Sequence, residues 1–146
     1  MENLINSFKF LTSADQDSLH QKMQVVDFEA ETILLKEGEQ KQALFVLLEG
    51  NVRVEKEFLG QSVPFTELLA GEIFGEMSLI EKQGASGTVV CNTACKVAIL
   101  TADELQHLED TVPNFAGRFY QSLAYLLSVR LREANVNVVQ GFFSVG

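Results

Sequence analysis

Basic residues are scarce in this chain: 11 Lys and Arg stand against 20 Asp and Glu, for a formal net charge of −9. That balance opposes nonspecific binding to nucleic acid, whose affinity comes largely from cations neutralising phosphates. It also repels a small anionic ligand unless a local positive site overcomes it. Arg130 and Arg132, with Arg118 upstream, form the only basic cluster and do not make a patch. Histidine is nearly missing as well, since His20 and His107 sit in unrelated segments. A metal-dependent jelly-roll enzyme therefore lacks clustered ligands, and a nucleophilic enzyme lacks a base beside Ser or Cys. No enzymatic activity, metal or resident cofactor is expected. Cys91 and Cys95 are the only cysteines, and their C-x3-C spacing differs from the C-x-x-C of thioredoxin-like chemistry. Within one strand they would face the same side, too far apart for a disulfide without a bend. They read as small apolar side chains. Long apolar runs are absent too. The longest, Ala43–Leu48, is far short of a membrane span. Met1-Glu2-Asn3-Leu4 has no positive n-region, so no secretory signal is expected and a cytoplasmic address follows.

What remains is enough for one real core. A length of 146 residues with 47% hydrophobic content fits a single globular domain. Ser13-Ala14-Asp15-Gln16 has the form of a capping box, with Leu19 and Met23 following at i, i+4 spacing, and predicts a helix over about Ser13–Met23. From Val25 the texture changes to short apolar or β-branched runs: Thr32–Lys36, Ala43–Leu48, Asn51–Phe58, Ser62–Glu67, Gly87–Val90 and Lys96–Leu100. Glycine turn signals punctuate them at Gly38, Gly50, Gly60 and Gly71. Many short strands at such spacing predict a mainly β domain, an antiparallel β-roll or jelly roll with flanking helices.

Helix returns at the end. Thr101-Ala102-Asp103-Glu104 is a second capping box leading into Leu105 and Leu108. Pro113 suits the first turn of a longer helix, where its missing N–H costs nothing. Phe115, Phe119, Leu123, Leu126, Leu131 and Ala134 then recur at helical spacing, and Tyr120, Ala124 and Leu127 widen the apolar surface sideways. A surface helix needs one stripe; a wider one predicts two contacts, with the β-roll and with a second copy of the chain through the 113–134 helix. The alternative is one helix fully covered within the monomer. The expected layout is a helical segment over about 1–24, a β-roll over 25–100, helices over 101–135 and an apolar tail over 136–146. Val138, Val139, Phe142 and Phe143 lie in that tail, which holds no further helix pair and so no helix-turn-helix.

This order resembles the cyclic-nucleotide-binding domain family, across about residues 4–134. Ile33-Leu34-Leu35-Lys36-Glu37-Gly38-Glu39 is similar to the family's opening strand and glycine turn, and Leu44 to Val54 to its hairpin. Phe74-Gly75-Glu76-Met77-Ser78-Leu79-Ile80 resembles the start of the phosphate-binding cassette, and Thr93 to Ala98 the strand after it. Leu127-Ser128-Val129-Arg130-Leu131-Arg132 is similar to the dimer helix of catabolite-activator-type regulators.

The resemblance implies a ligand pocket at Phe74, Gly75, Glu76, Met77, Ser78, Ala85, Ser86, Gly87 and Thr88. The glycine lets backbone N–H groups approach an anion, and the glutamate position accepts a ribose 2′-hydroxyl. The family pattern continues Arg-(Ser/Ala)-Ala-(Thr/Ser)-Val, and the arginine that neutralises the cyclic phosphate corresponds here to Ala85. Lys82 and Arg53 are the candidate substitute cations. Two functions follow. One is a regulatory, ligand-sensing module whose binding of cAMP or cGMP is weakened, altered or lost, acting on a separate effector. The other is a degenerate domain kept for dimerisation or protein docking, with Phe142 and Phe143 in its interaction surface. Glu76, Ser86 and Thr88 also have a plainer reading, as a helix-end carboxylate and two strand-edge hydroxyls.

Overall fold

A computed structural model describes the backbone over residues 5–145 and the side chains over 5–137. Helix α1 (Ser13–Lys22) leads into strands β1 (Gln24–Phe28), β2 (Ile33–Leu35), β3 (Ala43–Glu49), β4 (Asn51–Phe58), β5 (Gln61–Leu69) and β6 (Ile73–Phe74). Helix α2 (Glu76–Glu81), strands β7 (Thr88–Cys91) and β8 (Cys95–Thr101), and helices α3 (Ala102–Thr111) and α4 (Phe115–Val145) complete the described chain. The strands make two antiparallel four-stranded sheets, ordered β1-β8-β3-β6 and β2-β7-β4-β5. This is the roll that the glycine-punctuated runs predict.

The unbroken apolar run of β3 has a simple cause. Successive residues of a strand point to opposite faces, and here both faces are covered. Leu44 and Val46 enter a core shared with the helices, beside Leu19, Leu105, Phe115 and Phe119. Ala43, Phe45 and Leu47 enter a second core between the two sheets, beside Val52, Phe74, Val89 and Val97. A sheet buried on both sides reads as a continuous hydrophobic run rather than an alternating one.

Three local readings need correction. The first capping box starts one residue earlier than Ser13. Thr12 is the N-cap, and its side chain accepts from the Asp15 N–H while Asp15 accepts from the Thr12 N–H. Pro113 lies in the turn before α4 rather than in its first turn, because Asn114 takes a left-handed φ of 62° just ahead of Phe115. The segment read as a tail continues α4 to Val145; the side chains of Val138, Val139, Phe142 and Phe143 lie outside the described residues.

The cysteines are separated by a bend. Cys91 ends β7, Cys95 begins β8, and the two strands belong to different sheets. Both are buried and free. Burial, helped by the neighbouring Cys95, pushes the Cys91 thiol up to about 12, so it stays protonated and unreactive at neutral pH.

Helix α4 is held at its base by a side-chain pair that the sequence does not announce. Asp15 is fully buried and accepts from Arg118 Nε at 2.7 Å and Nη2 at 2.8 Å. Arg118 also donates to the Pro113 carbonyl at 3.0 Å. The guanidinium beside Asp15 holds its carboxyl below the usual carboxylate range, against the opposing pull of burial. The N-terminal helix is thereby pinned to the root of the C-terminal one.

Candidate functional site

A cavity of about 620 Å³ opens between the β4–β5 hairpin, the β6–α2 corner and the inner face of α4. Its position follows from the two cores. Phe74 stacks flat on Phe45, with ring centroids 4.9 Å apart and planes 5° off parallel. The chain must then turn sharply to start α2. Gly75 makes that turn with φ of 82°, and a Cβ there would sit 2.8 Å from both the Ala43 carbonyl oxygen and Phe45 Cδ2. Only glycine meets both demands, and α2 starts directly above the stacked rings with Glu76 facing the cavity.

The opposite wall of the cassette is equally constrained. Ala85 is clamped against the β2–β3 turn: its N–H donates to the Glu39 carbonyl at 3.0 Å, and its own carbonyl accepts from the Gly38 N–H at 2.8 Å. A Cβ on Gly84 would stand 2.5 Å from the Gly38 carbonyl oxygen, so this approach also requires glycine. The clamp leaves the Ala85 methyl buried on the cavity wall.

The structure brings eight of the nine anticipated pocket residues to this one cavity. Phe74, Gly75, Glu76, Met77 and Ser78 line one side, and Ala85, Ser86 and Gly87 another. Thr88 stands apart, because its Oγ1 accepts from the Glu37 N–H at 2.9 Å. Neither candidate cation reaches the cavity. Lys82 is the exposed C-cap of α2, in a left-handed conformation with φ of 58°. Arg53 alternates with Val52 and Val54, which point inward, so it lies on the outer face of β4. There it donates to Glu55 at 2.7 Å, Asn92 at 2.7 Å and Glu31 at 2.8 Å, and its guanidinium holds both carboxyls below their usual range.

The cation on the cavity is instead Arg130, from α4. Its Nη1 donates to Glu76 Oε1 at 3.0 Å and its Nη2 to the Ile73 carbonyl at 2.9 Å. The pair is largely shielded, with side-chain exposures of 29% for Arg130 and 12% for Glu76. Partial burial strengthens such a charge-assisted bond. It also means that Glu76 does not stand as an uncompensated negative charge on the pocket wall. In the sequence Arg130 belongs to a helix and to a sparse basic cluster, with nothing that ties it to the cassette. The usable signal was its phase: Phe119, Leu123, Leu126 and Arg130 fall at i, i+4, i+7 and i+11, so an arginine occupies the inward face of an apolar stripe.

Among the described residues no helix is long and apolar enough to cross a membrane. Comparison with known proteins gives a consistent result. A family profile described as the cyclic nucleotide-binding domain matches residues 25–111. The chain is 33% identical over 103 residues to the cyclic AMP receptor protein of Thermus thermophilus, covering 70% of this chain and 46% of that one. It is 28% identical over 104 residues to the cAMP-activated global transcriptional regulator of Salmonella typhimurium, covering 70% of this chain and 50% of that one. It thus spans half or less of the length of these relatives. Among solved structures, a cyclic nucleotide-binding domain from Methylobacillus flagellatus superposes with a TM-score of 0.82 at 26% identity, covering 94% of this chain and 81% of that one.

Proposed function

Because the chain belongs to the cyclic nucleotide-binding domain family, we propose that it is a regulatory module that senses a small ligand, cAMP or cGMP in the first instance, and relays occupancy through α4. The observation that carries this reading is the bond from Arg130 to Glu76 across the cavity. A ligand entering beside Glu76 must meet the helix that would transmit the signal. Binding then shifts the population between two placements of α4, because the arginine's partners differ with and without ligand. Ala85 stands where the family's phosphate-binding arginine is expected, so affinity is reduced. A missing charge-assisted contact is worth about two to three decades. Calorimetry with cAMP and cGMP tests the reading. Heat is expected with a dissociation constant between roughly 10 µM and 1 mM; no heat at millimolar ligand overturns it.

A second role, dimerisation, is favoured by the outer face of α4. Tyr120, Ala124, Leu127 and Leu131 follow the alternating four- and three-residue spacing of a coiled-coil seam, with Leu127 at its edge against the helix-facing core, while Ala134 borders the cavity. Tyr120 and Leu131 are 42% and 63% exposed in the single chain, while Phe115, Phe119 and Leu123 on the inner face are fully covered. We infer a homodimer through this seam, a pairing that serves a sensor and a docking module equally. Light scattering is expected to give twice the chain mass, and Leu131→Glu to return it to the monomer. A monomeric wild type at high concentration overturns the dimer and leaves the ligand reading standing.

A further inference from the structure

Resting on that reading of the cavity, we propose that the anionic group of its ligand, a phosphate or phosphodiester, is held by Arg130 and Ser78 rather than from position 85. Three observations converge on these two side chains. Arg130 is the only lysine or arginine lining the cavity among the described residues. A guanidinium carries five N–H donors, and the contacts described for Arg130 use one on Glu76 and one on the Ile73 carbonyl. The planar fork can therefore hold an anion while keeping part of its grip on the cassette, or exchange Glu76 for the anion outright.

The second side chain offers an unpaired hydroxyl beside the same cavity. Ser78 is 1% exposed and lines the same cavity, yet its Oγ has no hydrogen-bond partner among the described residues. Buried hydroxyls are nearly always paired, because an unpaired one forfeits its hydration without return. The same Oγ is closed to solvent in this structure, so an anion in the cavity meets it only after a small shift of the cassette. An anionic oxygen suits it, since the hydroxyl donates one hydrogen and charge-assisted acceptors give the strongest such bonds.

The remaining groups set the direction. Glu72 and Glu133 also border the cavity, while Glu67 gives its carboxylate to Asn92 on the outer face, so an anion is favoured beside the one guanidinium. At Ala85 an incoming phosphate would find a methyl group. The ligand's charge is thus drawn toward α4, away from the wall where the family's motif would hold it. Recognition and relay then share one residue: the group that binds the anion is carried by the helix that moves.

Wild type, Arg130→Gln and Ser78→Ala are titrated with cAMP and with cGMP by calorimetry, and their thermal unfolding is recorded. Arg130→Gln removes the charge and leaves a shorter side chain with an amide donor, and its affinity is expected to fall about tenfold or more. Ser78→Ala is expected to weaken binding several-fold while leaving the unfolding midpoint unchanged or raised, since it deletes an unpaired buried hydroxyl. A residue that only supported the fold would not separate the two readouts in that way. Undiminished affinity in Arg130→Gln overturns the inference and leaves the sensing function intact. Undiminished affinity in Ser78→Ala removes Ser78 from it. A wild type that binds neither nucleotide overturns the inference together with the function on which it rests.

Discussion

In the Ala85→Arg protein, cAMP or cGMP is expected to bind about two decades more tightly than in the wild type. The argument is geometric before it is electrostatic. Residue 85 is fixed at both its N–H and its carbonyl by the 38–39 turn, so a longer side chain starts from a Cα that does not wander. It also starts on the wall of the cavity that Glu76 lines. A bidentate, partly desolvated contact between guanidinium and phosphate contributes about 2–5 kcal/mol when the alternative is none. The lower part of that range is appropriate here, because Arg130 already supplies one positive charge to the cavity. Calorimetry on the purified variant provides the check. An unchanged or absent response means that more of the pocket has been altered than one side chain.

The largest effect on stability is expected at Phe119. It is fully buried and sits against three other rings: Phe8 edge-on at 5.2 Å, Phe115 stacked at 5.7 Å and Tyr120 edge-on at 5.2 Å. Through these contacts it joins the N-terminal segment, the start of α4 and the helix-facing core. Phe119→Ala removes the transfer free energy of the ring and leaves a cavity that the covered β3 strand cannot collapse to fill. The expected cost is about 3–5 kcal/mol. For a domain of this size that lowers the unfolding midpoint by on the order of 10 °C. Urea unfolding followed by circular dichroism measures it. A loss below about 1 kcal/mol would mean that the inner face of α4 is not docked as described.

How much of this was legible in the sequence depends on whether the cause was local. The strand runs at Ala43–Leu48 and Asn51–Phe58 matched β3 and β4 to within a residue, because glycine turns and β-branched runs act over a few positions. Strand β6 is two residues long, too short to carry a period; it exists because Phe74 lies on Phe45. Strand β1 is largely exposed and owes its state to pairing with β8, some seventy residues away. The N-cap slipped by one because Thr12 and Ser13 are chemically equivalent as caps, and the Asp15 that decides between them has a distant partner in Arg118. The site behaved likewise. Eight of its residues are neighbours in sequence as well as in space, and the motif found them. Arg130 is separated from Glu76 by more than fifty residues, and only the folded helix brings the two together. Lys82 is near the cassette in the chain, whereas Arg130 is on the helix face that meets it.

Helix α4 has its two arginine anchors at Arg118 and Arg130, twelve residues and so about 18 Å apart along the axis. The first is welded to a fully buried aspartate; the second grips a cassette that a ligand can reach. Under the proposed relay, the helix would act as a lever with a fulcrum at Arg118 and a releasable catch at Arg130. The arm runs from Arg118 to Val145, a length of about 40 Å at 1.5 Å per residue. A tilt of about 5° at the fulcrum would displace its far end by about 3–4 Å, most of the rise of one helical turn. A change of hydrogen-bond partner at one guanidinium would thus be magnified into a sideways movement of several ångströms at the far end of the arm.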